Sequence, residues 1–240
     1  MKWTTYNTLN NTTKYLYKFL SQENLKLFLA SGSIWFSRAD IFGDKMECVR
    51  IKDLLKEKPD YEAIKARKRK FLISCWHLAD KESLVLWDTY SESVDKRRTT
   101  AIRFKREDLI FLMKEYAIKN HGNLFYRTTF THGRVKYKEL IGKDSKWLKD
   151  MVVNEPSFRK EEAFRYENEY RFVIKLVNEH SKEGYSYVTK ESKNMPFKVI
   201  INPLLENDAY FKLKDKIETL GFADKLIQSD LAGWLHPELW

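Results

Sequence analysis

A chain of 240 residues with 43% hydrophobic and 15% aromatic residues can bury a sizeable core, which excludes an intrinsically disordered protein. Its formal net charge of +10 invites a nucleic-acid or phosphate partner, although net charge does not define a fold. No apolar run reaches the roughly 18 residues of a membrane span, and the N-terminus shows no apolar signal segment. Two cysteines, Cys48 and Cys75, do not suggest a disulfide framework. We therefore expect a cytoplasmic protein with no membrane partner.

The chain order of predicted elements mixes strands and helices. Residues 14–20 predict a strand, and Ser21 is placed to cap a helix over 23–31 that Gly32 ends. The other predicted helices cover 60–70, 82–91, 106–119, 156–165 and 206–221, and the other predicted strands cover 33–37, 71–76, 99–104, 123–130, 134–140, 166–174, 197–203 and 225–229. This order indicates the α+β class, with mixed or mostly antiparallel sheets and flanking helices. No linker separates domains, so we expect a single domain over 1–240.

The basic residues include one dense run, IKARKRK at 64–70. The run places five cations close together, namely Lys65, Arg67, Lys68, Arg69 and Lys70. One interpretation is a surface that contacts phosphate or nucleic acid. The other is the solvated end of a helix that begins near Asp60, where cations favour the helix dipole. The sequence leaves both interpretations open.

The segment 35–47, WFSRADIFGDKME, brings an arginine and two carboxylates to the end of a predicted strand. Ser37 and Arg38 close the strand, and Asp44 and Glu47 follow after a short turn. Such a strand end suits an anionic or glycosidic ligand. The alternative is an ordinary strand exit in which Asp44 caps a helix that contains Glu47.

The segment 74–90, SCWHLADKESLVLWDTY, offers little metal or nucleophile chemistry. Cys75 and His77 are too few for a zinc site, and we expect no metal. Cys75 lacks a recognisable base, which favours a buried thiol over a nucleophile. Trp87 and Tyr90 fall at helical spacing and are typical of core or of a pocket wall.

The segment Tyr166–Ile174, YENEYRFVI, alternates charged with apolar residues. Read as a strand, it places Glu167, Glu169 and Arg171 on one face, because successive strand side chains point to opposite sides. The other face is apolar enough to be core and holds Tyr170, Phe172 and Ile174. The two carboxylates can take different roles, in which one orients or activates a substrate and the other stabilises a cation. The alternative is a solvated strand face with cross-strand ion pairs.

Taken in order, these segments resemble the bacterial DUF2971 proteins, a domain of unknown function. The resemblance covers about residues 15–205 and leaves 206–240 as a C-terminal helix and tail. It rests on LYKFL, IWFSRADIFGDKME, ISCWH, LVLWDTYS, RVKYKEL and YENEYRFVI. The chain departs from the family pattern at Gly43-Asp44-Lys45 and at Phe164, where the family often has tryptophan, and it lacks the usual glycine before 99–104.

The order LYKF, ENLKLFLASG, SIWFS also resembles the opening of ADP-ribosyltransferase folds, whose catalytic glutamate lies on a later strand, sometimes in an E-x-E motif. The resemblance implies NAD as a co-substrate, Glu169 as the catalytic carboxylate and Glu167 as the residue that orients the acceptor. The implied cofactor-binding residues are Tyr17 or Lys18 on the first strand, Ser37, Arg38, Trp87, Tyr90 and Arg171. The usual first-strand histidine or arginine is absent.

Three functions follow as hypotheses. The first is an NAD-consuming enzyme of the ADP-ribosyltransferase type, a toxin or phage-defence effector that acts on nucleic acid or protein and has a protein partner or antitoxin. The second is a non-enzymatic module that binds nucleic acid or a partner protein through the basic run. The third is a metal-dependent hydrolase of a nucleotide or nucleic acid that uses Asp44, Glu47, Glu167 and Glu169.

Overall fold

The computed structural model describes residues 2–6, 12–50, 53, 56–88, 99–119, 128–139, 155–188 and 191–232. The strands are β1 (Lys2–Tyr6), β2 (Tyr15–Leu20), β3 (Ser33–Arg38), β4 (Phe71–Ala79), β5 (Thr100–Lys105), β6 (Thr129–Arg134), β7 (Lys136–Lys138), β8 (Arg159–Glu161), β9 (Glu169–Lys175), β10 (Gly184–Val188), β11 (Phe197–Ile201) and β12 (Leu226–Ile227). The α-helices are α1 (Gln22–Ser31), α2 (Tyr61–Lys68), α3 (Leu84–Asp88), α4 (Arg106–Lys119) and α5 (Asn207–Thr219). The α+β class is confirmed, and none of these helices has the length and hydropathy to cross a membrane.

The chain divides into two compact units. The first unit comprises Met1–Asn11, Ile34–Trp76 and Lys114–Tyr187. The second comprises Thr12–Ser33, His77–Met113 and Val188–Trp240. The expectation of one DUF2971-like domain over 1–240 stays a prediction.

Strand β6 is central to the sheet of the first unit, with β1 parallel to it on one side and β9 antiparallel on the other. Thr4 lies opposite Thr131, which lies opposite Val173, and Arg171 lies opposite Gly133. Because side chains alternate along a strand, one face of this sheet carries threonines on β1 and β6 and the charged residues of β9. The other face packs Phe130, Phe172 and Ile174 out of contact with solvent.

Strands β2, β5 and β11 form the antiparallel part of the second unit, and β12 adds to β11 in parallel. Its core packs Phe19 edge to face against Trp87, with 4.7 Å between ring centroids. The prediction for helix α1 is confirmed at both ends. The Ser21 hydroxyl accepts from the Asn24 amide at 3.2 Å, and Gly32 ends the helix at φ 63°.

The prediction of a helix over 156–165 is wrong. Pro156–Phe158 is a 3-10 turn, Arg159–Glu161 forms β8 beside β7, and Glu162–Glu167 is a second 3-10 turn. Asn168 then takes a left-handed conformation, at φ 39°, which Asn tolerates better than most residues. This residue separates the turn from β9, so the strand begins at Glu169 and not at Tyr166.

Other predicted elements agree with the structure to within a few residues. Asp60 caps α2 by accepting from the Ala63 amide at 2.9 Å, and that helix ends at Lys68. The strand predicted over 123–130 and the helix predicted over 82–91 lie partly outside the described residues, which include Thr129–Arg134 and Leu84–Asp88. The predictions omitted β1 and β10.

Candidate active site

Strand β9 carries its charged side chains on one face and its apolar side chains on the other, as the alternation of its sequence predicts. Glu169 and Arg171 lie on one face, and Tyr170 and Phe172 pack against the buried ring of His132 on the other. The charged face is not solvated, because Arg171 is fully buried and Glu169 is 8% exposed. The alternative of a solvated strand face is therefore wrong.

Five charged side chains of the first unit come together around this face. We call them the charged cluster, which consists of Glu47, Lys160, Glu167, Glu169 and Arg171. All five are buried. Burying charges is unfavourable unless they are paired and hydrogen-bonded, and here three carboxylates face two cations.

Arg171 joins two of the carboxylates. Its Nε donates to Glu169 Oε2 at 2.5 Å, and its Nη2 donates to Glu47 Oε1. Its Nη1 donates to the backbone carbonyl of Ser157 at 2.7 Å. The guanidinium fork thereby ties the turn of Glu47 and the turn of Ser157 to strand β9.

Lys160 joins Glu169 to the third carboxylate, Glu167. Its Nζ donates to Glu167 Oε2 at 2.5 Å and to Glu169 Oε1 at 3.2 Å. The same amine lies 4.6 Å from the ring centroid of Phe164, within cation–π range. Glu169 is therefore held from both sides, with one oxygen on Lys160 and the other on Arg171.

Local backbone structure explains why Glu167 and Glu169 meet the same lysine. Glu167 is the last residue of the 3-10 turn and not part of the strand, so the predicted strand position for it is wrong. The left-handed Asn168 turns the chain between the two glutamates. The Glu169 amide donates to the Tyr137 hydroxyl at 2.7 Å, which anchors the start of the strand.

The surroundings push the pKa values of the two glutamates apart. Burial raises the pKa of Glu167 to about 7, and the neighbouring Glu169 adds to the rise while Lys160 opposes it. Burial also acts to raise the pKa of Glu169, but Arg171, Glu167 and Lys160 outweigh it and lower that pKa. Glu169 is consequently ionised at neutral pH, whereas Glu167 takes up its proton at a much higher pH than Glu169 does.

The remaining charged members follow the same logic. Burial raises the pKa of Glu47 against the opposing charge of Arg171. Burial opposes the ionised form of Lys160, yet the three carboxylates raise its pKa, and Glu169 and Glu47 do the same for Arg171. Lys160 and Arg171 therefore stay charged, and a proton that the cluster takes up binds to one of its carboxyl groups.

Only one residue of the segment 37–47, which follows and includes the predicted strand end, belongs to the charged cluster. Glu47 joins the charged cluster, whereas Asp44 accepts from the Met46 amide at 2.8 Å within a turn and not a helix.

Arg38 pairs with Asp40 at 2.5 Å, and its Nη1 donates to the carbonyls of residues 180, 181 and 182. Ser37 accepts from the Trp35 indole at 3.0 Å. Arg38 and Ser37 thus have hydrogen-bond partners within the protein, and their contacts with a cofactor stay predictions.

Three other predicted cofactor residues belong to the second unit. Trp87 is buried and donates to Glu82 Oε2 at 2.9 Å. Tyr17 donates to the Asp80 carbonyl at 3.3 Å, and burial raises its pKa to about 12. Lys18, on β2, lies opposite Ile102 of β5. Tyr90 lies outside the described residues. Their assignment to an NAD pocket stays a prediction.

Part of the basic run is engaged by carboxylates and carbonyls of the first unit. Arg67 pairs with Asp53 at 2.8 Å, and Arg69 pairs with Asp40 and with an exposed glutamate on the loop after β9. Lys68 is buried and donates to the Lys45 carbonyl at 2.9 Å. These contacts favour a role in packing for three of the five cations.

Sequence reasoning missed Lys160, which the wrong prediction placed in a charged helix over 156–165. The signal available was the run of two cations before two acids, RKEE at 159–162, which does not decide between a helix and a strand. Among the described residues, no group of three or more histidine, cysteine, aspartate or glutamate side chains is arranged to hold a metal ion.

Comparison with protein-family models yields no match, and comparisons with curated proteins and with solved structures yield none either. The resemblances to DUF2971 and to ADP-ribosyltransferase folds therefore stay predictions.

Proposed function

We propose that this protein is an NAD-consuming enzyme of the ADP-ribosyltransferase type, in which Glu169 is the catalytic carboxylate and Glu167 activates the acceptor. The observation that carries the proposal is the unequal pairing of the two glutamates: Lys160 contacts both, Arg171 contacts only Glu169, and their pKa values accordingly shift in opposite directions. When surroundings push the pKa values of two neighbouring groups apart, the groups can take different roles in one reaction.

The proposed reaction breaks the bond between C1′ of the nicotinamide ribose and the pyridinium nitrogen, and the bonding electrons leave with nicotinamide. Positive charge develops at C1′, where an ionised carboxylate such as Glu169 stabilises it. An oxygen or nitrogen of the acceptor bonds to C1′ and gives its proton to Glu167, whose pKa of about 7 suits a base at neutral pH. Water as acceptor makes the reaction NAD hydrolysis.

Substrate binding at Glu169 has to replace an existing contact. The contact from Lys160 to Oε1, at 3.2 Å, is longer than the contact from Arg171 to Oε2, at 2.5 Å. A ribose hydroxyl that donates to Oε1 leaves Lys160 paired with Glu167 and leaves Arg171 in place. Arg171 then acts as a positioning residue, because it fixes the carboxylate without contacting the sugar.

The proposed acceptor is a nucleic acid or a protein, as in a toxin or phage-defence effector. The net charge of +10 supports a polyanionic acceptor, since it raises the rate of encounter with one. The alternatives have less support. Three cations of the basic run already have partners, and the carboxylates of the charged cluster are paired with Lys160 and Arg171 and not grouped as ligands.

The test is nicotinamide release from NAD, with and without nucleic-acid and protein acceptors. Glu169→Gln keeps the side-chain shape and removes the charge, and we expect the rate to fall by about 100-fold or more. Glu82→Gln removes a buried carboxylate from the second unit and serves as the matched control, with a rate close to wild type. Equal release by wild type and Glu169→Gln, or none by wild type with any acceptor, rejects the proposal.

A further inference from the structure

Arg159 is a buried cation outside the charged cluster. It is 2% exposed, and its Nη2 donates to the backbone carbonyl of Val49. Its Nη1 is buried without a hydrogen-bond partner. Buried charges are nearly always paired, so an arginine held by one carbonyl calls for an anion.

Tyr6 lines a groove and lies near this arginine. Burial and Glu155 raise the pKa of Tyr6, and Arg159 opposes the rise, so both charges are close to its hydroxyl. The Tyr6 ring stacks on Phe158, the residue before Arg159, with 4.7 Å between centroids. The groove that Tyr6 lines has a volume of about 350 Å³ and lies in the first unit.

The groove lies on the same sheet face as Glu169 and Arg171. Its lining includes Thr4, Thr131 and Lys175, and Lys175 continues the alternation of Glu169 and Arg171 along β9. The Thr4 and Thr131 hydroxyls are 2.7 Å apart, and hydroxyls can donate to a bound oxyanion. Glu155 also lines the groove, and its Oε1 accepts from the Ser157 hydroxyl at 2.9 Å.

We propose that this groove and Arg159 form a binding subsite for a small anion, in which a phosphoryl or carboxylate group pairs with the unused Nη1 of Arg159. Arginine binds both groups through the same planar donors. The ligand body lies against the threonines and Lys175, and Tyr6 moves aside to admit the anionic group. The subsite does not depend on the NAD proposal, because it requires no chemistry at Glu169.

The test measures binding of inorganic pyrophosphate and of malonate by calorimetry, so that one arm carries phosphoryl and the other carboxylate groups. We expect saturable binding of one probe by the wild-type protein, weakened at least tenfold in Arg159→Met and a few fold in Lys175→Met. Arg165→Met is the matched control, because this exposed arginine pairs with Glu162 and is not part of the groove lining, and its affinity should equal wild type.

Because the Arg159 side chain is buried, two further variants at the groove wall, Lys175→Met and Thr131→Val, decide the outcome if Arg159→Met does not fold. A few-fold weakening in both variants, with Arg165→Met unchanged, supports the subsite. No saturable binding of either probe to wild type overturns it. Binding that is equally strong in the groove variants also overturns it, since the anion then binds elsewhere.

Discussion

Two buried carboxyl groups, Glu169 in the first unit and Glu82 in the second, are held by different kinds of donor. Glu169 faces Arg171 and Lys160, whereas Glu82 accepts from the Trp87 indole at 2.9 Å and from the Asp230 amide at 2.8 Å. Cations lower the pKa of Glu169, while burial raises the pKa of Glu82 against its neutral donors. At Glu169 the two cations outweigh the effect of burial on the pKa, whereas at Glu82 the neutral donors do not.

The difference assigns different roles to the two sites. Glu82 links the segment before α3 to residues 229–230, which is a packing function within the second unit. The charged cluster holds more carboxylates than cations, so one of its carboxyl groups takes up a proton near neutral pH. Proton exchange at that pH is what an acid–base catalyst requires.

The largest expected effect comes from removing the central cation. Arg171→Met leaves Glu47 and Glu169 buried without their shared partner, and we expect a loss of about 3–5 kcal/mol in the free energy of unfolding. Urea denaturation at pH 8 measures it. Arg165→Met, at an exposed ion pair, should change stability little. Similar losses in both variants would show that the cluster contributes no more than a surface pair.

Glu167 should make stability depend on pH in a defined direction. Its raised pKa means that the folded state binds more protons than the unfolded state between about pH 5 and 7, so stability falls as pH rises through that window. Glu167→Gln should remove up to about 3 kcal/mol of this fall. Unfolding free energies of both proteins across the window measure it, and parallel curves would contradict the assignment.

Lys160 should affect both carboxyl groups that it contacts. Lys160→Met removes a cation that opposes the rise in the pKa of Glu167, so that pKa should increase further. We expect a stability loss of about 2 kcal/mol at pH 8, smaller than for Arg171→Met because protonation of Glu167 relieves part of it. Lys175→Met, at a groove-wall lysine, is the control. An unchanged titration of Glu167 in Lys160→Met would count against the proposed coupling.

The smallest expected effect is at Glu82. Glu82→Gln keeps one acceptor oxygen and turns the other into a donor that faces an N–H group, so we expect a loss of about 1 kcal/mol. Thermal unfolding of the variant measures the loss. A loss as large as that of Arg171→Met would remove the contrast between the two sites.

Sequence periodicity predicted β9 well because burial of one strand face follows alternation. It placed Tyr170, Phe172 and Ile174 in the core and brought Glu169 and Arg171 to one face. It could not locate Lys160, because the choice between a helix and a short strand at 159–161 depends on pairing with β7, a contact distant in sequence. Glu47 was named as a pocket residue, but its pairing with Arg171 depends on tertiary contacts that no local pattern encodes.

The most direct measurement is the titration of the carboxyl carbons of Glu167, Glu169 and Glu82 by NMR, assigned with the three Glu→Gln variants. We expect Glu167 to titrate near pH 7. We expect Glu169 to stay ionised through the acidic range in which an ordinary glutamate takes up a proton, and Glu82 to take up its proton at a higher pH than an ordinary glutamate does. Titration of Glu167 and Glu169 together, near the ordinary value, would contradict the division of roles.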